Sequence, residues 1–183
     1  MQLLTIQDKK VLNILLKNKI YTSDFYHSFD DPSLDDFCLM NAYQLVMQHY
    51  GYTAPPIFCC VVGRLANFKG IKSIDHPVLL ELYVPDEVVK LHSFTNWIDI
   101  IYQLSEEYVG PVDSSFDNYV EDVLDGADVS NVNTQIQATI PHIKIDWLSD
   151  AYDVTTDFIF KFPGFDTLNN PRSYGLKPIY TQF

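Results

Sequence analysis

Asp117, Glu121 and Asp125 recur every four residues, which on a helix would align them in one row with about 6 Å between neighbours along the axis. Between Leu91 and Ile143 the chain has no lysine or arginine, yet it carries Asp99, Glu106, Glu107, Asp113, Asp117, Glu121, Asp122, Asp125 and Asp128. Like charges four apart on a helix cost roughly 0.2–0.5 kcal/mol a pair. A row that lowers local stability invites a functional reading, and the chemistry on offer is attraction of cationic groups. The candidate partner-binding residues are therefore Glu106, Glu107, Asp113, Asp117, Glu121, Asp122, Asp125 and Asp128. Duplex DNA presents one charge per ~1.7 Å, so one helix is too sparse to imitate it. Mimicry requires Glu106, Glu107, Asp113, Asp122 and Asp128 to converge on the same surface.

Other chemistry is weaker. Glu106 and Glu107 are adjacent, and neighbours on a helix diverge by ~100°. Asp30, Asp31, Asp35 and Asp36 lack the turn glycine and terminal glutamate of a calcium loop, and acids at a helix start are favoured by the dipole alone. Cys38, His49, Cys59 and Cys60 have no zinc spacing. Adjacent Cys59 and Cys60 would point to opposite faces of a strand as small hydrophobes. The histidines, His27, His49, His76, His92 and His142, are dispersed and read as structural. No phosphate-binding glycine loop, dinucleotide fingerprint, nucleophile elbow or paired Cys-x-x-Cys occurs. Neither a metal nor a cofactor is expected.

The elements that must position the acidic row follow from periodicity. Leu3 to Gln7 reads as a strand and Asp8 to Asn18 as a helix that buries Val11, Leu12, Ile14 and Leu15 and exposes Lys9, Lys10 and Lys17. Pro32-Ser33 starts a helix, capped by Ser33, that runs to Tyr50 and stops at Gly51, with Leu34, Cys38, Ala42, Leu45, Val46 and His49 on its packing face. Ile57 to Val62 and Val78 to Val84 are strands, and a turn at Pro85-Asp86-Glu87 leads into an extended Val88 to Leu91. Ser93 caps a helix over Phe94 to Leu104 that buries Trp97, Ile98 and Ile101. The acidic helix, Ser115 to Asp125, has Phe116, Tyr119, Val120, Val123 and Leu124 as its apolar stripe and ends near Gly126. Gln135 to Ile140 and Thr155 to Phe162 read as further strands.

Irregular succession of helices and strands predicts an α+β fold, with small mixed or antiparallel sheets and about four helices packed around them. Residues 1–183 fit a single domain with 163–183 as a turn-rich C-terminal arm. With 47% hydrophobic residues, twelve Tyr and twelve Phe, the chain is too apolar for disorder. A formal charge of −12 with only Arg64 and Arg172 as arginines argues against a stand-alone nucleic-acid binder. No apolar run is long enough to span a bilayer. The odd cysteine set and the lack of a leader-like start predict a cytosolic protein with reduced thiols.

Several segments carry a family resemblance. Leu4-Thr5-Ile6-Gln7, Leu79-Leu80-Glu81-Leu82-Tyr83-Val84-Pro85-Asp86, Ser93-Phe94-Thr95-Asn96-Trp97 and Ile136-Gln137-Ala138-Thr139-Ile140 resemble patches of an uncharacterised family of small bacterial and phage proteins. That family opens on a Leu-Trp-Thr-Ile-Gln-like strand and carries a Val-Pro-Asp turn. Here Leu4 stands where Trp is usual, and Thr95-Asn96 replaces an acidic stretch. The element order also looks like a loose version of the ADP-ribosyltransferase scaffold, which binds NAD between small sheets. That likeness would put Thr5 or Gln7 on the first strand and Gln135 or Gln137 on the late strand, as neutral residues where such enzymes use charged ones.

The leading expectation is an acidic interaction protein, encoded by a phage or mobile element, that inhibits a basic nucleic-acid-acting protein in the manner of an anti-defence factor or DNA mimic. The alternative is an NAD-dependent ADP-ribosyltransferase-like enzyme or its binding-only relative, with Gln7, Gln135 and Gln137 as its site. A third reading is a homo-oligomer joined through Tyr102, Tyr108 and Phe116.

Overall fold

A computed structural model describes residues 1–24, 34–65, 74–104, 114–127, 129–131, 133–154 and 169–182. Its first strand, β1 (Gln2–Asp8), has Leu3, Leu4, Thr5 and Ile6 all buried, so both of its faces are covered. A near-continuous apolar run of this kind belongs at the centre of a sheet. There β1 lies, antiparallel to β3 (Ile57–Val61) on one side and β4 (Pro77–Tyr83) on the other. Beyond β3 come β6 (Ile136–Ile140) and the edge strand β5 (Lys90–Ser93). Beyond β4 come β8 (Leu148–Asp153) and β9 (Pro178–Thr181), giving a seven-stranded antiparallel sheet in the order β5-β6-β3-β1-β4-β8-β9. A small second sheet pairs β2 (Ile20–Tyr21) with β7 (Ile143–Lys144).

Four helices among the described residues accompany the large sheet. Helix α1 (Lys9–Asn18) starts where the Asp8 carboxylate accepts from Lys10 N at 2.7 Å, and sends Leu12 and Leu15 into a core with Leu3, Leu80, Ile140 and Trp147. Helices α2 (Leu34–Tyr50), α3 (Phe94–Gln103) and α4 (Ser114–Leu124) form a second core in which Ala42, Val46, Trp97, Ile100, Phe116 and Val123 meet over the Phe58 side of the sheet. A third, smaller core collects Leu4, Ile6, Leu79, Tyr152 and Val154.

The α+β class stands, with antiparallel sheets of seven and of two strands among the described residues. Some strands of the larger sheet are ones that hydropathy does not mark. Leu-Ser-Asp-Ala-Tyr-Asp is polar enough to pass for a loop, yet it forms β8 because the Asp150 carboxylate finds internal donors. From the turn-rich arm, the described residues 169–182 supply a short 3-10 turn (Pro171–Tyr174) and strand β9. The expected strand Thr155 to Phe162 and the expected Ser33 cap lie outside the described residues.

Some packing expectations shift by a residue. In α1 Ile14 is 40% exposed. In α3 the deeply buried side chains are Trp97 and Ile100, with Ile98 and Ile101 only half-buried. Phe116 faces the helical core, while Tyr102 is exposed and Tyr108 lies outside the described residues. No helix among the described residues is long and apolar enough to cross a membrane.

Two substitutions test this packing by urea unfolding. Leu80→Ala, at a wholly buried site in β4, should cost about 2–5 kcal/mol as transfer and cavity terms combine. Ser93→Ala should cost about 1 kcal/mol, since Ser93 Oγ accepts from Asn96 N at 3.3 Å at the start of α3.

Candidate functional site

The apolar stripe of α4 decides where its charges go. Phe116, Val120, Val123 and Leu124 are buried against α2 and α3, so Asp117, Glu121, Asp122 and Asp125 face solvent. Among the described residues, Asp117, Glu121 and Asp122 have no cationic partner, while Asp125 Oδ1 lies 2.9 Å from His49 Nε2 at the end of α2. The structure thus brings four of the eight expected partner-binding residues onto one exposed helix face. Glu106, Glu107, Asp113 and Asp128 lie outside the described residues.

The end of α4 is built to carry an acid against its own dipole. Gly126 ends the helix at φ +90°, and a Cβ there would stand 3.3 Å from the Leu91 carbonyl oxygen of β5. The Tyr50 hydroxyl donates to the Leu124 carbonyl, occupying an acceptor that the helix leaves open. Beside this cap lies an open groove of about 560 Å³ whose lining includes His49, Tyr50, Lys90, Leu91, Leu124 and Asp125. Lys90 Nζ sits 5.9 Å from the centre of the Tyr50 ring. One edge of the acidic face therefore carries a cation held against an aromatic wall.

A second polar feature crosses the sheet. Residues directly paired across strands project from the same face. Following the register gives one row through all seven strands: His92, Gln137, Cys60, Leu4, Glu81, Asp150 and Thr181. At one end Glu81, 2% exposed, accepts from Gln2 Nε2 at 2.6 Å and from the Tyr152 hydroxyl at 2.8 Å. Asp150 accepts from Thr181 Oγ1 at 2.6 Å and, through both oxygens, from an Arg172 terminal nitrogen at 3.1 Å. Burial pushes the Asp150 carboxyl up, but the Thr181 and Arg172 hydrogen bonds and the Arg172 charge outweigh it and hold the group below the usual carboxylate range.

At the other end of the row His92 is wholly buried, with its Nε2 3.1 Å from Gln137 Oε1 and its ring packed near Phe58 and Trp97. Its Nδ1 has no hydrogen-bond partner among the described residues. Burial lowers its pKa to about 4 against the opposing hydrogen bond to Gln137, so the ring is neutral at pH 7. Sequence reasoning missed this row. The one legible signal was Glu81, a carboxylate inside the apolar run Leu79-Leu80-Glu81-Leu82.

The three glutamines do not form a common site among the described residues. Gln7 Nε2 donates to Thr5 Oγ1 at 2.8 Å, on the sheet face opposite Leu4 and hence opposite Gln137, which is engaged with His92. Strand β3 lies between their two strands. Gln135 is buried just before β6, where its carbonyl accepts from Phe94 N. Cys59 is buried and Cys60 half-buried on opposite faces of β3, and none of Cys38, Cys59 and Cys60 is in a disulfide among the described residues. Among the described residues no group of three or more His, Cys, Asp or Glu could hold a metal ion.

Fold and site together define an α+β protein with an antiparallel seven-stranded sheet, a helical layer on one face and an acidic helix turned to solvent. No protein-family model matches the chain, and neither a curated protein nor a solved structure is detectably similar to it.

Neutral burial of His92 sets a pH dependence. Its folded pKa lies below its unfolded value, so its contribution is complete above about pH 6.5 and is lost as pH falls toward 4. The loss should be of the order of 2–3 kcal/mol. Urea unfolding between pH 7 and 4.5 should show this slope in the parent and a flatter one in His92→Gln.

Proposed function

We propose that this chain is an acidic interaction protein that binds a basic, nucleic-acid-acting protein through the exposed face of α4 and inhibits it. One observation carries the reading: α4 spends its whole apolar side on the helical core and turns Asp117, Glu121, Asp122 and Asp125 outward together, three of them without a cationic partner among the described residues. Arginines and lysines that contact phosphates are the chemical complement of such a face. The Lys90 and Tyr50 groove at its end adds a place where an acidic or aromatic side chain of the same partner can dock. A cytosolic setting, with three cysteines outside any disulfide, and a phage or mobile-element role against a host nuclease fit this reading.

Charge steering of this kind is screened beyond about 8–10 Å at physiological salt, so association should weaken steeply as salt rises. The test is capture of partners from a host lysate at low salt by the tagged parent and by an Asp117→Asn, Glu121→Gln, Asp125→Asn variant, followed by mass spectrometry and titration of whatever is retained. The expected outcome is a basic nucleic-acid-binding protein that the parent retains and inhibits. The variant should bind it about tenfold to a hundredfold more weakly, as three exposed pairs at roughly 0.5–1 kcal/mol each imply. Equal retention by both proteins, or binding indifferent to salt, would overturn the reading.

A further inference from the structure

The C-terminal segment 169–182 is joined to the body by strand pairing with β8 and by polar side chains that add to the donors of two buried carboxylates. Glu81 and Asp150 are directly paired across β4 and β8, so two buried carboxylates stand side by side. The segment brings Arg172 and Thr181 to Asp150 and Asn170 Nδ2 to Glu81 Oε1 at 3.5 Å. Its strand β9 covers the outer edge of β8, with Thr181 opposite Asp150 and Tyr180 opposite Ala151, and Gln182 N donates to Ser149 O at 2.8 Å. Tyr174 and Leu176 pack on the core of Leu4, Ile6 and Leu79. Of residues 169–182, only Pro171 is itself buried, while Arg172, Ser173, Gly175 and residues 177–179 are exposed. The attachment is thus a short strand pairing, an ion pair, a few hydrogen bonds, the buried Pro171 and three half-buried apolar side chains, Tyr174, Leu176 and Tyr180, at the rim of the sheet, the kind of contact that opens at a fraction of global stability.

We propose that residues 169–182 form a detachable strap, and that the seat beneath it accepts the same strap from a second copy of this chain, closing a reciprocal dimer by strand exchange. The seat specifies its occupant. With the strap detached it offers the outer edge of β8, an adjacent carboxylate pair of which Asp150 takes a guanidinium and a hydroxyl from the strap, and the apolar patch that Tyr174 and Leu176 cover. Each copy of the chain carries the complementary segment at the same spacing, and exchange of an identical element is a low-cost route to a twofold dimer. The inference stands apart from the acidic face, since it uses neither α4 nor its groove.

Engineered cysteines at Ala151 and Tyr180 test it in the full chain with Cys60→Ala, because cross-strand partners lie within the Cα separation a disulfide needs. A strap docked in its own chain closes the bond within one chain. An exchanged strap links two chains, visible as a covalent dimer on a non-reducing gel. Covalent dimer should increase from micromolar to millimolar incubation, and more steeply when Arg172→Ala is added. Amide hydrogen exchange should be roughly tenfold or more faster in β8 and β9 than in β1 in the Arg172→Ala protein. If Arg172→Ala does not fold, Thr181→Val, which removes one donor to Asp150 and keeps the ion pair, is read the same way. A disulfide that stays within one chain at every concentration, or β8 and β9 amides that exchange with those of β1 in parent and variant alike, overturns the proposal.

Discussion

Strand β1 has no face toward water, and the architecture follows from that constraint. Leu3 and Leu4 are both essentially inaccessible, one in the core under α1 and the other in the core that Tyr152 and Val154 complete. A strand buried on both faces needs partners on both edges, because an unpaired buried amide costs as much as a lost hydrogen bond. Its neighbours β3 and β4 satisfy those edges, and each is buried in turn by what lies outside it. The N-terminus shares in this pinning: the Met1 ammonium donates to the Val84 carbonyl at 2.6 Å and to Asp86 at 2.7 Å, tying the start of β1 to the end of β4.

The transverse polar row is the complement of that apolar centre. Cys60 and Leu4 occupy its middle, and charge appears only toward the β9 edge, where Arg172 can bring its guanidinium while remaining more than half exposed. Glu81 and Asp150 are therefore tolerated in different ways. Asp150 has a cation and two hydroxyl donors, whereas the described partners of Glu81 are neutral donors: Gln2, Tyr152 and Asn170. The hydroxyl of Tyr152 answers to both groups, since burial and the hydrogen bond to Glu81 make it harder to ionise, and contact with Arg172 opposes that only in part. Removing a donor from such a set leaves a buried carboxylate oxygen short of a partner, which costs more than the bond itself contributed.

Helices were legible in the sequence because their apolar stripes are long and their stops are chemical. The α4 stripe of Phe116, Val120, Val123 and Leu124 and its end at Gly126 follow from spacing and from the left-handed φ that glycine accepts. Strands β1, β3, β4 and β6 were legible for the same reason, as β-branched and aliphatic runs. Strands β8 and β9 were not. Their polar residues are satisfied by each other across a separation in sequence, Asp150 by Arg172 and Thr181, and no local pattern encodes a partner that distant. The same limit hid the His92 and Gln137 pair, which only the β5 and β6 register brings together. Gln7 and Gln137 looked combinable while strand order was unknown, and the insertion of β3 between their strands separates them.

The acidic row on α4 is inexpensive for the fold, and this bears on how it can be used. Asp117 with Glu121, Glu121 with Asp125 and Asp122 with Asp125 are the like-charged pairs about one turn apart among the four, together costing roughly 0.6–1.5 kcal/mol. Against this, each of the four buried side chains beneath them contributes roughly 1.5–3 kcal/mol. Packing wins by a wide margin, and the worst-placed acid, Asp125 at the negative end of the helix dipole, is offset by His49. The exposed carboxylates can therefore be changed without unfolding the helix that displays them. Charge on this face is separable from stability, so a change in binding caused by altering it reports on the surface and not on the core.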